Sequence, residues 1–536
     1  MSQVRSLSLE RFEHSRLFLD YVSAPSGPVA GLLGGFTAAA DGWRERLAAG
    51  RARDAATERL FAKLAEDNRR LGAAPAVVDA LAAAGRGEAR VVVAGQQPGV
   101  LGGPLLTLYK VATAVALAAE LEARHGGRVV PLYWMGADDD DFDEIRDLVL
   151  LGDNLAPVGT RLARAAHAAG APVGGVATDA VREAWRAVAD ALARTPGARE
   201  VGERVASALD GARDHAEATA RVVVGALGGA VAVVDGREPL LQEAAREVIL
   251  GFFDAEAEIR ADIDARGRAL EASGFHAQLS LGTDSGVFVL ENGRRARVSG
   301  PQRARAREMI AEDIRRAYPG VVLRNLIQDA VLSPVAAVLG PAEIAYRAQM
   351  AGVHERLGVA RPVLFPRLFA TYVPGALAEP AAVCGLALER LAEAPGTLAD
   401  AAAAAMADPE VARAAAELRE AFSSRAGELV ARARAAGDER QASRLAKRIA
   451  DVERRLVAAI STAADIGKSR ALGRWPQLAH TADVFARGGA PQERYLWMLA
   501  PALHDGEGAL DAAAEAARAH ASAALDGRVS HTVYSS

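Results

Sequence analysis

Residues 94–110 place glycines and polar side chains where an apolar run gives way to a helical pattern. Gly95–Gln97 follow the run, Pro104 opens the helical pattern, and Lys110 comes after it. Glycines let a backbone approach a ligand closely, and the free N–H groups of a helix start attract an anion. Each glutamine adds two donors and an acceptor, which a purely structural turn does not need. The loop predicts either a tight turn or a phosphate or carboxylate site within reach of Lys110.

A second loop is strongly acidic. Six acids occupy the seven positions 138–144, separated by two residues from the apolar run 128–135. Acids at a helix start cap free N–H groups and complement the helix dipole, which explains about one to three of them. The consecutive aspartates 138–141 repel one another unless a metal cation, an amine or an arginine neutralises them. The loop predicts a capped helix start, a carboxylate that faces a ligand or Mg²⁺, or both.

A third loop repeats the pattern of apolar run, Gly-Pro and helix. Gly340-Pro341 opens this helix, and Glu343 is placed to bond back to its start. Glu343 is either a cap or a ligand contact, and Tyr346 either packs or lines the site. A polar group at 324–329 follows another apolar run.

The elements that must position these loops alternate in type along the chain. Helical patterns at 104–124, 179–221, 238–271, 302–317 and 341–357 separate apolar runs that we interpret as buried strands, at 89–95, 128–135, 229–235, 320–325, 334–340 and 360–366. Such alternation predicts an α/β fold with a mainly parallel sheet covered on both faces. Ligands bind beyond the carboxyl ends of parallel strands, so the three loops are expected to converge on one cavity.

The chain predicts three regions. Residues 1–375 form the core, with a helical insertion at about 155–225 and a hairpin at about 284–299, where Asn292-Gly293 is a strong turn signal. Residues 376–470 form an α-helical domain, because apolar residues recur three and four apart on both sides of Gly437, which indicates an antiparallel coiled coil. Residues 471–536, rich in aromatic side chains, are expected to pack back on the core.

Composition excludes several classes of protein. The chain has 536 residues, 51 % of them hydrophobic and 24 % charged, and its net charge of −5 gives no reason to expect nucleic acid or an anionic membrane as a partner. Cys384 is the only cysteine, which excludes disulfides and thiolate zinc sites. No apolar stretch reaches the ~20 residues of a membrane helix, and no signal peptide is visible, so we expect a soluble, cytoplasmic protein.

These motifs resemble, in order, those of the bacillithiol-biosynthesis ligases called BshC. The segments that carry the resemblance are AGQQPGVLGGPLLTLYK (94–110), VVPLYWMGADDDDFDEI (129–145), VVLRNLIQDAVLSPVAAVLGPAEIAYRAQM (321–350), PVLFPRL (362–368) and GGAPQERYLWM (488–498). The family's shape is similar too, with a Rossmann-like core, helical insertions and a coiled coil that forms a dimer. The resemblance covers nearly the whole length.

The resemblance implies a ligase that forms a C–N bond between the carboxyl group of L-cysteine and the amine of glucosaminyl-malate, the last step toward bacillithiol. It also implies an adenine nucleotide, ATP or ADP, and a homodimer, and it leaves Mg²⁺ open. We predict amine or metal contact, and so the catalytic role, for Asp139, Asp141 and Glu144. We predict that the substrate or phosphate is bound by Gly95, Gln96, Gln97, Gly103, Lys110, Arg324, Asn325, Glu343 and Tyr346.

The acidic loop departs from the family pattern. Asp140 and Asp147 stand where histidines are expected, Arg146 stands where asparagine is expected, and Asp138 replaces glutamate. A histidine passes protons near neutral pH, whereas an exposed aspartate is ionised there and cannot donate one. Two alternatives therefore remain beside cysteine ligation: a diverged member that joins another amino acid to another amine, and a non-catalytic dimeric scaffold that binds a metabolite.

Overall fold

The computed structural model describes residues 3–25, 27–37, 43–48, 53–280, 286–291, 293–298, 300–387, 389–393 and 396–535. The chain forms two compact units, the first from residues 1–153, 158–372 and 490–536 and the second from residues 154–157 and 373–489. Among the described residues no helix is both long and apolar enough to cross a membrane.

The described residues contain fifteen strands. They are β1 (Gln3–Leu7), β2 (Arg90–Gln96), β3 (Val129–Met135), β4 (Asp147–Leu151), β5 (Pro157–Arg161), β6 (Ala232–Asp235), β7 (Val287–Glu291), β8 (Arg294–Arg297), β9 (Ala317–Pro319), β10 (Ala336–Leu339), β11 (Val363–Pro366), β12 (Phe369–Tyr372), β13 (Ala486–Arg487), β14 (Ala490–Pro491) and β15 (His531–Ser535).

The first unit contains all the described α-helices that precede residue 372. They are α1 (Arg16–Ser23), α2 (Pro28–Leu33), α3 (Trp43–Ala48), α4 (Ala55–Leu71), α5 (Pro75–Gly85), α6 (Leu105–His125), α7 (Phe142–Ile145), α8 (Thr178–Leu192), α9 (Ala198–Leu209), α10 (His215–Ala226), α11 (Pro239–Ala244), α12 (Arg246–Asp254), α13 (Glu256–Ala272), α14 (Arg303–Glu312), α15 (Val321–Leu332), α16 (Pro341–Gln349) and α17 (Ala351–Arg356).

A five-stranded parallel sheet forms the core of the first unit, in the order β11-β10-β2-β3-β6. Counted along the chain within this sheet, the order is 3-2-1-4-5, which is that of the Rossmann fold. Helix α6 packs on β2, β3 and β10, and α5 packs on β3 and β6, so continuous apolar strands are covered by helices. The predicted α/β fold with a parallel, Rossmann-like sheet is therefore confirmed.

Five of the six predicted strands lie in this sheet, and the sixth prediction is wrong. Residues 320–325 form the start of α15, with Gly320 as its extended N-cap. Val322, Leu323, Leu326 and Ile327 are buried, which is the spacing of a helix face. A short apolar run does not by itself distinguish a strand from a buried helix, and here the helical continuation to Leu332 decides the outcome.

The predicted hairpin is present as β7 and β8, which pair antiparallel from Phe288 opposite Arg297 to Glu291 opposite Arg294. Strand β9 joins β7 on its other side. Asn292 and residues 284, 285 and 299 of the prediction lie outside the described residues. The helix predicted at 302–317 ends at Glu312, because residues 317–319 are taken up by β9.

The last part of the chain returns to the first unit. It supplies α24 (Ala500–Asp505), α25 (Gly508–Leu525) and β15. Strand β15 pairs antiparallel with β1 and parallel with β12. The phenol groups of Tyr109 in α6 and Tyr534 in β15 lie 3.1 Å apart inside this region.

The second unit is built mainly of helices. They are α18 (Ala378–Val383), α19 (Glu389–Glu393), α20 (Thr397–Ala405), α21 (Pro409–Ala435), α22 (Glu439–Arg474) and α23 (Thr481–Phe485), and the chain then continues in the first unit with α24 (Ala500–Asp505) and α25 (Gly508–Leu525). Gly437, with a φ of 84°, lies in the turn between α21 and α22. Ser423 donates to Glu453 at 3.0 Å, which fits an antiparallel pair. Coiled-coil packing and the dimer stay predictions.

Candidate active site

The loops after β2 and β10 leave neighbouring strands at the point where the strand order reverses. Open α/β sheets bind ligands at this position. A cavity of about 550 Å³ lies here. Ten of the twelve predicted site residues line it, namely Gly95, Gln96, Gln97, Lys110, Asp139, Glu144, Arg324, Asn325, Glu343 and Tyr346. The three loops thus face one hollow, while the roles of these residues in binding or catalysis stay predictions.

Two predicted site residues lie elsewhere. Asp141 does not line the cavity; its carboxylate accepts a hydrogen bond from the backbone N–H of Glu144 at 3.2 Å and so caps α7. Gly103 lines a second cavity of about 180 Å³, together with Gly99 and Pro104. The order of residues along a loop did not reveal which of them face the same side.

Close packing explains the glycines of the first loop. A Cβ atom on Gly99 would lie 2.5 Å from the Cα of Gly103, and one on Gly102, whose φ is 100°, would lie 2.2 Å from Met498 Sδ. The two glutamines have polar tasks instead. Gln97 donates to Asp139 at 3.1 Å, and Gln96 accepts a bond from Lys110 at 3.3 Å. The loop is therefore both a tight turn and part of the cavity wall.

Lys110 connects two of the three loops. Its side chain is 2 % exposed, and its Nζ donates to the Gly95 carbonyl, to Gln96 and, at 2.8 Å, to Glu343. Glu343 also accepts the backbone N–H of Gly340 at 2.8 Å, which caps α16. Burial lowers the pKa of Lys110, and the charge of Glu343 opposes this. Glu343 is thus a cap and also the ion-pair partner of the buried lysine.

Arginines neutralise the row of aspartates. Arg324 donates from Nε to Asp138 at 3.1 Å and from Nη1 to Asp139 at 2.9 Å. Arg295, in the hairpin, donates to Asp139 at 2.9 Å and to Asp140 at 2.7 Å. Arginine is one of the three neutralisers that the sequence left open, and Arg295 and Arg324 take that role here.

Asp138 and Asp139 differ in the direction in which their pKa is shifted. Burial raises the pKa of Asp138, which is 1 % exposed, and Arg324 opposes the rise. Burial also acts on Asp139, but Arg324 and Arg295 together hold its pKa well below its usual range. Asp139 therefore stays charged at neutral pH and is a poor proton acceptor.

Glu144 has a different environment from these aspartates. Partial burial raises its pKa, and the charges of Asp141 and Asp139 add to the rise, while Gln97 and Lys110 oppose it. No ion pair of Glu144 exists among the described residues. A carboxylate with a raised pKa at a cavity wall is suited to accept a proton.

The cavity is also lined by arginines that were not predicted from the sequence as site residues. Arg347 forms a buried ion pair with Asp329, and His354 approaches the same carboxylate at 2.9 Å. Arg367 forms a second buried pair with Glu493. Arg347, Arg367 and Arg494 lie within segments that carry the family resemblance, which is the one signal that could have marked them.

Several buried donors at this wall lack acceptors. Within the described part of the chain, Nε of Arg347, Nε of Arg367 and Nε1 of Trp134 have no hydrogen-bond partner. Buried donors are nearly always paired, and leaving one unpaired costs about 1–3 kcal/mol. Such donors suit the oxygens of a phosphate or carboxylate.

Tyr346 lies at the same wall, beside Asn325. Burial raises the pKa of its phenol, and the charge of Glu343 adds to the rise. Among the described residues no group of three or more His, Cys, Asp and Glu side chains is arranged to hold a metal ion. A role for Mg²⁺ stays a prediction.

Comparison with known proteins agrees with the fold and the motifs. Residues 3–368 match the family described as bacillithiol biosynthesis BshC, N-terminal Rossmann-like domain. Three relatives named "Putative cysteine ligase BshC" come from Natranaerobius thermophilus (28 % identical, 52 % of this chain and 54 % of the relative), Koribacter versatilis (32 %, 57 % and 59 %) and Bacillus cereus (25 %, 63 % and 66 %). The chain matches only a little more than half the length of the first two relatives. The match over most of the sequence nevertheless shows that this chain belongs to the BshC family.

Proposed function

We propose that the chain is an ATP-linked ligase that joins the carboxyl group of L-cysteine to the amine of glucosaminyl-malate. The observation that carries the proposal is the cavity at the reversal of strand order, whose wall combines guanidinium groups, unpaired buried donors and one unpaired carboxylate. Anionic ligands suit the guanidinium groups, and an amine suits the carboxylate. The names of the relatives support the reaction type.

Glu144 is the proton acceptor in this proposal. The acceptor amine is an ammonium ion near neutral pH, and it must lose a proton before its nitrogen lone pair can attack the activated carboxyl carbon. A carboxylate with a raised pKa is matched to that transfer. Asp141 positions Glu144 by capping α7, and Asp139 positions Arg324 and Arg295. Two of the three predicted catalytic residues therefore act through their neighbours.

ATP, when bound, supplies the group that makes the cysteine carboxyl a good electrophile. The residues present fit a phosphate chain, because Arg347 and Arg367 each keep a buried Nε–H without an acceptor. The start of α16, at Gly340-Pro341, faces the same cavity, and helix starts favour anions. Glucosaminyl-malate carries carboxylates that suit the same wall, including Arg324.

The loop aspartates in place of histidines favour a second candidate, ligation of a different amino acid and amine. Asp140 accepts a bond from Arg295 at 2.7 Å, and Asp147 pairs with Arg161 at 3.0 Å. Both carboxylates are thus held by guanidinium groups. A family member that relied on those histidines for proton transfer would react more slowly after such changes.

The test is incubation of the purified protein with ATP, cysteine and glucosaminyl-malate, followed by mass spectrometry. Bacillithiol that depends on ATP, and that is lost in Glu144→Gln, is the expected result. Product only with another amino acid or amine would establish the diverged ligase. No product with any pair, together with thermal stabilisation by the ligands, would establish the non-catalytic scaffold and overturn the proposal.

We also propose that the chain is a homodimer, formed through α21 and α22. Large apolar side chains on these helices are about half exposed, namely Val411, Leu418, Leu429, Val452, Val457 and Ile466. Apolar residues at helical spacing on an exposed face suit burial against a second copy. The solution mass of the protein tests this.

A further inference from the structure

The second cavity adjoins the first through two side chains. Its volume is about 180 Å³, and of the residues that the structure describes only Glu144 and Arg494 line both cavities. At about 30 Å³ per water-sized group, this space holds a ligand of about six or more non-hydrogen atoms. It is therefore suited to a small molecule that would meet a larger one at the shared wall.

The two shared residues are also the unpaired charges of both cavities. In the second cavity Asp143 pairs with Arg146 at 3.0 Å and Asp147 pairs with Arg161 at 3.0 Å. In the first, every other charged lining residue is in one of the ion pairs described above. Within the described chain, Glu144 and Arg494 form no ion pair with each other or with a third residue.

We infer that the second cavity binds a small α-amino acid as its zwitterion, with its carboxylate on Arg494 and its ammonium group on Glu144. One negative and one positive group on the same small molecule satisfy both unpaired charges. The carboxyl carbon is then held at the junction, open to the larger cavity. Glu144 has two carboxylate oxygens, so it can hold this ammonium group and still take a proton from the acceptor amine.

The remaining wall of the second cavity suits a short side chain. Ile145, Leu148 and Trp497 are buried and apolar, and they line the same space as the two charged groups. A thiol behaves as a small apolar group in such surroundings. The start of the 21-residue helix α6 lies at Pro104 in the same wall and adds a favourable potential for the carboxylate.

Equilibrium binding tests the assignment without any turnover. Isothermal titration should show that cysteine binds more tightly, by about tenfold or more, than cysteamine, which lacks the carboxylate, and 3-mercaptopropionate, which lacks the ammonium group. Arg494→Ala should remove the preference over cysteamine, and Glu144→Gln should remove the preference over 3-mercaptopropionate. Equal affinities for the three compounds in the unsubstituted protein would overturn the inference.

A filled cavity gives a second test. Val149→Phe places a large side chain in the second cavity and should weaken cysteine binding by about tenfold or more. Val383→Phe is the matched control, because Val383 is exposed and lines neither cavity. Should Val149→Phe melt well below the unsubstituted protein, Arg494→Ala alone decides, since Arg494 is exposed and its loss should not unfold the chain.

The choice of cysteine as the probe rests on the proposed function, but the two can fail separately. If the protein forms bacillithiol, and Val149→Phe and Arg494→Ala leave its KM for cysteine unchanged, the proposed subsite is refuted while the proposed ligase activity stands. If the protein makes no bacillithiol, but binds cysteine and loses this binding in the two variants, the proposed subsite stands and the proposed ligase activity is refuted.

Discussion

Replacing Arg324 by methionine should destabilise the protein through one buried carboxylate. Among the described residues Arg324 is the only cation bonded to Asp138, which is 1 % exposed, whereas Asp139 keeps Arg295 and Gln97 when Arg324 is lost. The cost therefore comes mainly from Asp138, left charged and unpaired inside the protein. Methionine keeps most of the volume of the arginine stem, so packing changes little.

Breaking one side of a buried ion pair costs about 3–5 kcal/mol. The side chain of Arg324 is 17 % exposed, and Asp139 remains neutralised, so the lower end of that range applies. We expect a loss of about 3 kcal/mol, which lowers the melting temperature by about 3 °C, because a chain of this size gains about 1 kcal/mol/K of entropy on unfolding. Differential scanning fluorimetry at neutral pH measures this.

The pH dependence distinguishes a buried charge from lost packing. Burial already raises the pKa of Asp138, and removing Arg324 raises it further. A carboxyl group whose pKa is raised by folding contributes stability at low pH and loses it as pH rises through the folded pKa. The deficit of Arg324→Met should therefore grow as the pH rises from the ordinary titration range of an aspartate towards neutral. In the unsubstituted protein the lowered pKa of Asp139 works in the opposite direction, because its stabilisation is lost only on acidification through the folded pKa.

Arg307→Met is the matched control for this prediction. Arg307 also makes two hydrogen bonds to carboxylate oxygens, at 2.7 and 2.9 Å to Asp254, but this pair is exposed. An exposed pair contributes about 0–1 kcal/mol. Equal losses in the two variants, or a deficit of Arg324→Met that does not change with pH, would refute the assignment of a buried, charge-dependent cluster.

Three further predictions concern other parts of the chain. Glu144→Gln should lower kcat of ligation by about a hundredfold or more and remove the acidic limb of its pH profile; a fall in kcat with an unchanged profile would contradict proton acceptance by this residue. Lys110→Met should lower the free energy of unfolding measured in urea by about 3 kcal/mol, because it leaves Glu343 partly buried and unpaired. The double variant Lys110→Met with Glu343→Met should recover much of this loss, and additive losses would show that the two residues do not act as a pair. Leu418→Glu with Leu429→Glu should halve the mass measured by light scattering, and a monomeric unsubstituted protein would contradict the proposed dimer.

The strands of the five-stranded parallel sheet were predictable because each is short, apolar and separated from the next by a helical pattern. The exception, residues 320–325, shows the limit of that signal. Its apolar residues fit a strand and a helix equally well over one turn, and only the burial of Leu326 and Ile327 beyond them settles the choice. The hairpin followed from its turn residues, whereas the third strand, β9, is too short to show any periodicity.

The loops of the site were predictable, but their electrostatic partners were not. The acidic run required a neutralising group, and local spacing could not say that Arg295 comes from a hairpin about 155 residues along the chain. Arg367 and Glu493 pair across 126 positions for the same reason. Ion pairs between distant segments depend on tertiary packing, which no sequence window contains. The separation of Gly103 into its own cavity likewise depends on how α6 and the segment after β14 meet.

Synthesis order has a bearing on when this cavity can exist. The strand β15 lies between β1 and β12, so the sheet that they form lacks its middle member until residues 531–535 have left the ribosome. Until then β1 and β12 have no partner in that sheet, and unpaired strand edges invite association with other chains. Glu493 and Arg494 also emerge late, after the whole of the long helical unit. The five-stranded parallel sheet can therefore be complete once residue 366 has been made, whereas Arg494 of the cavity wall and the strand β15 are added only at the end of translation.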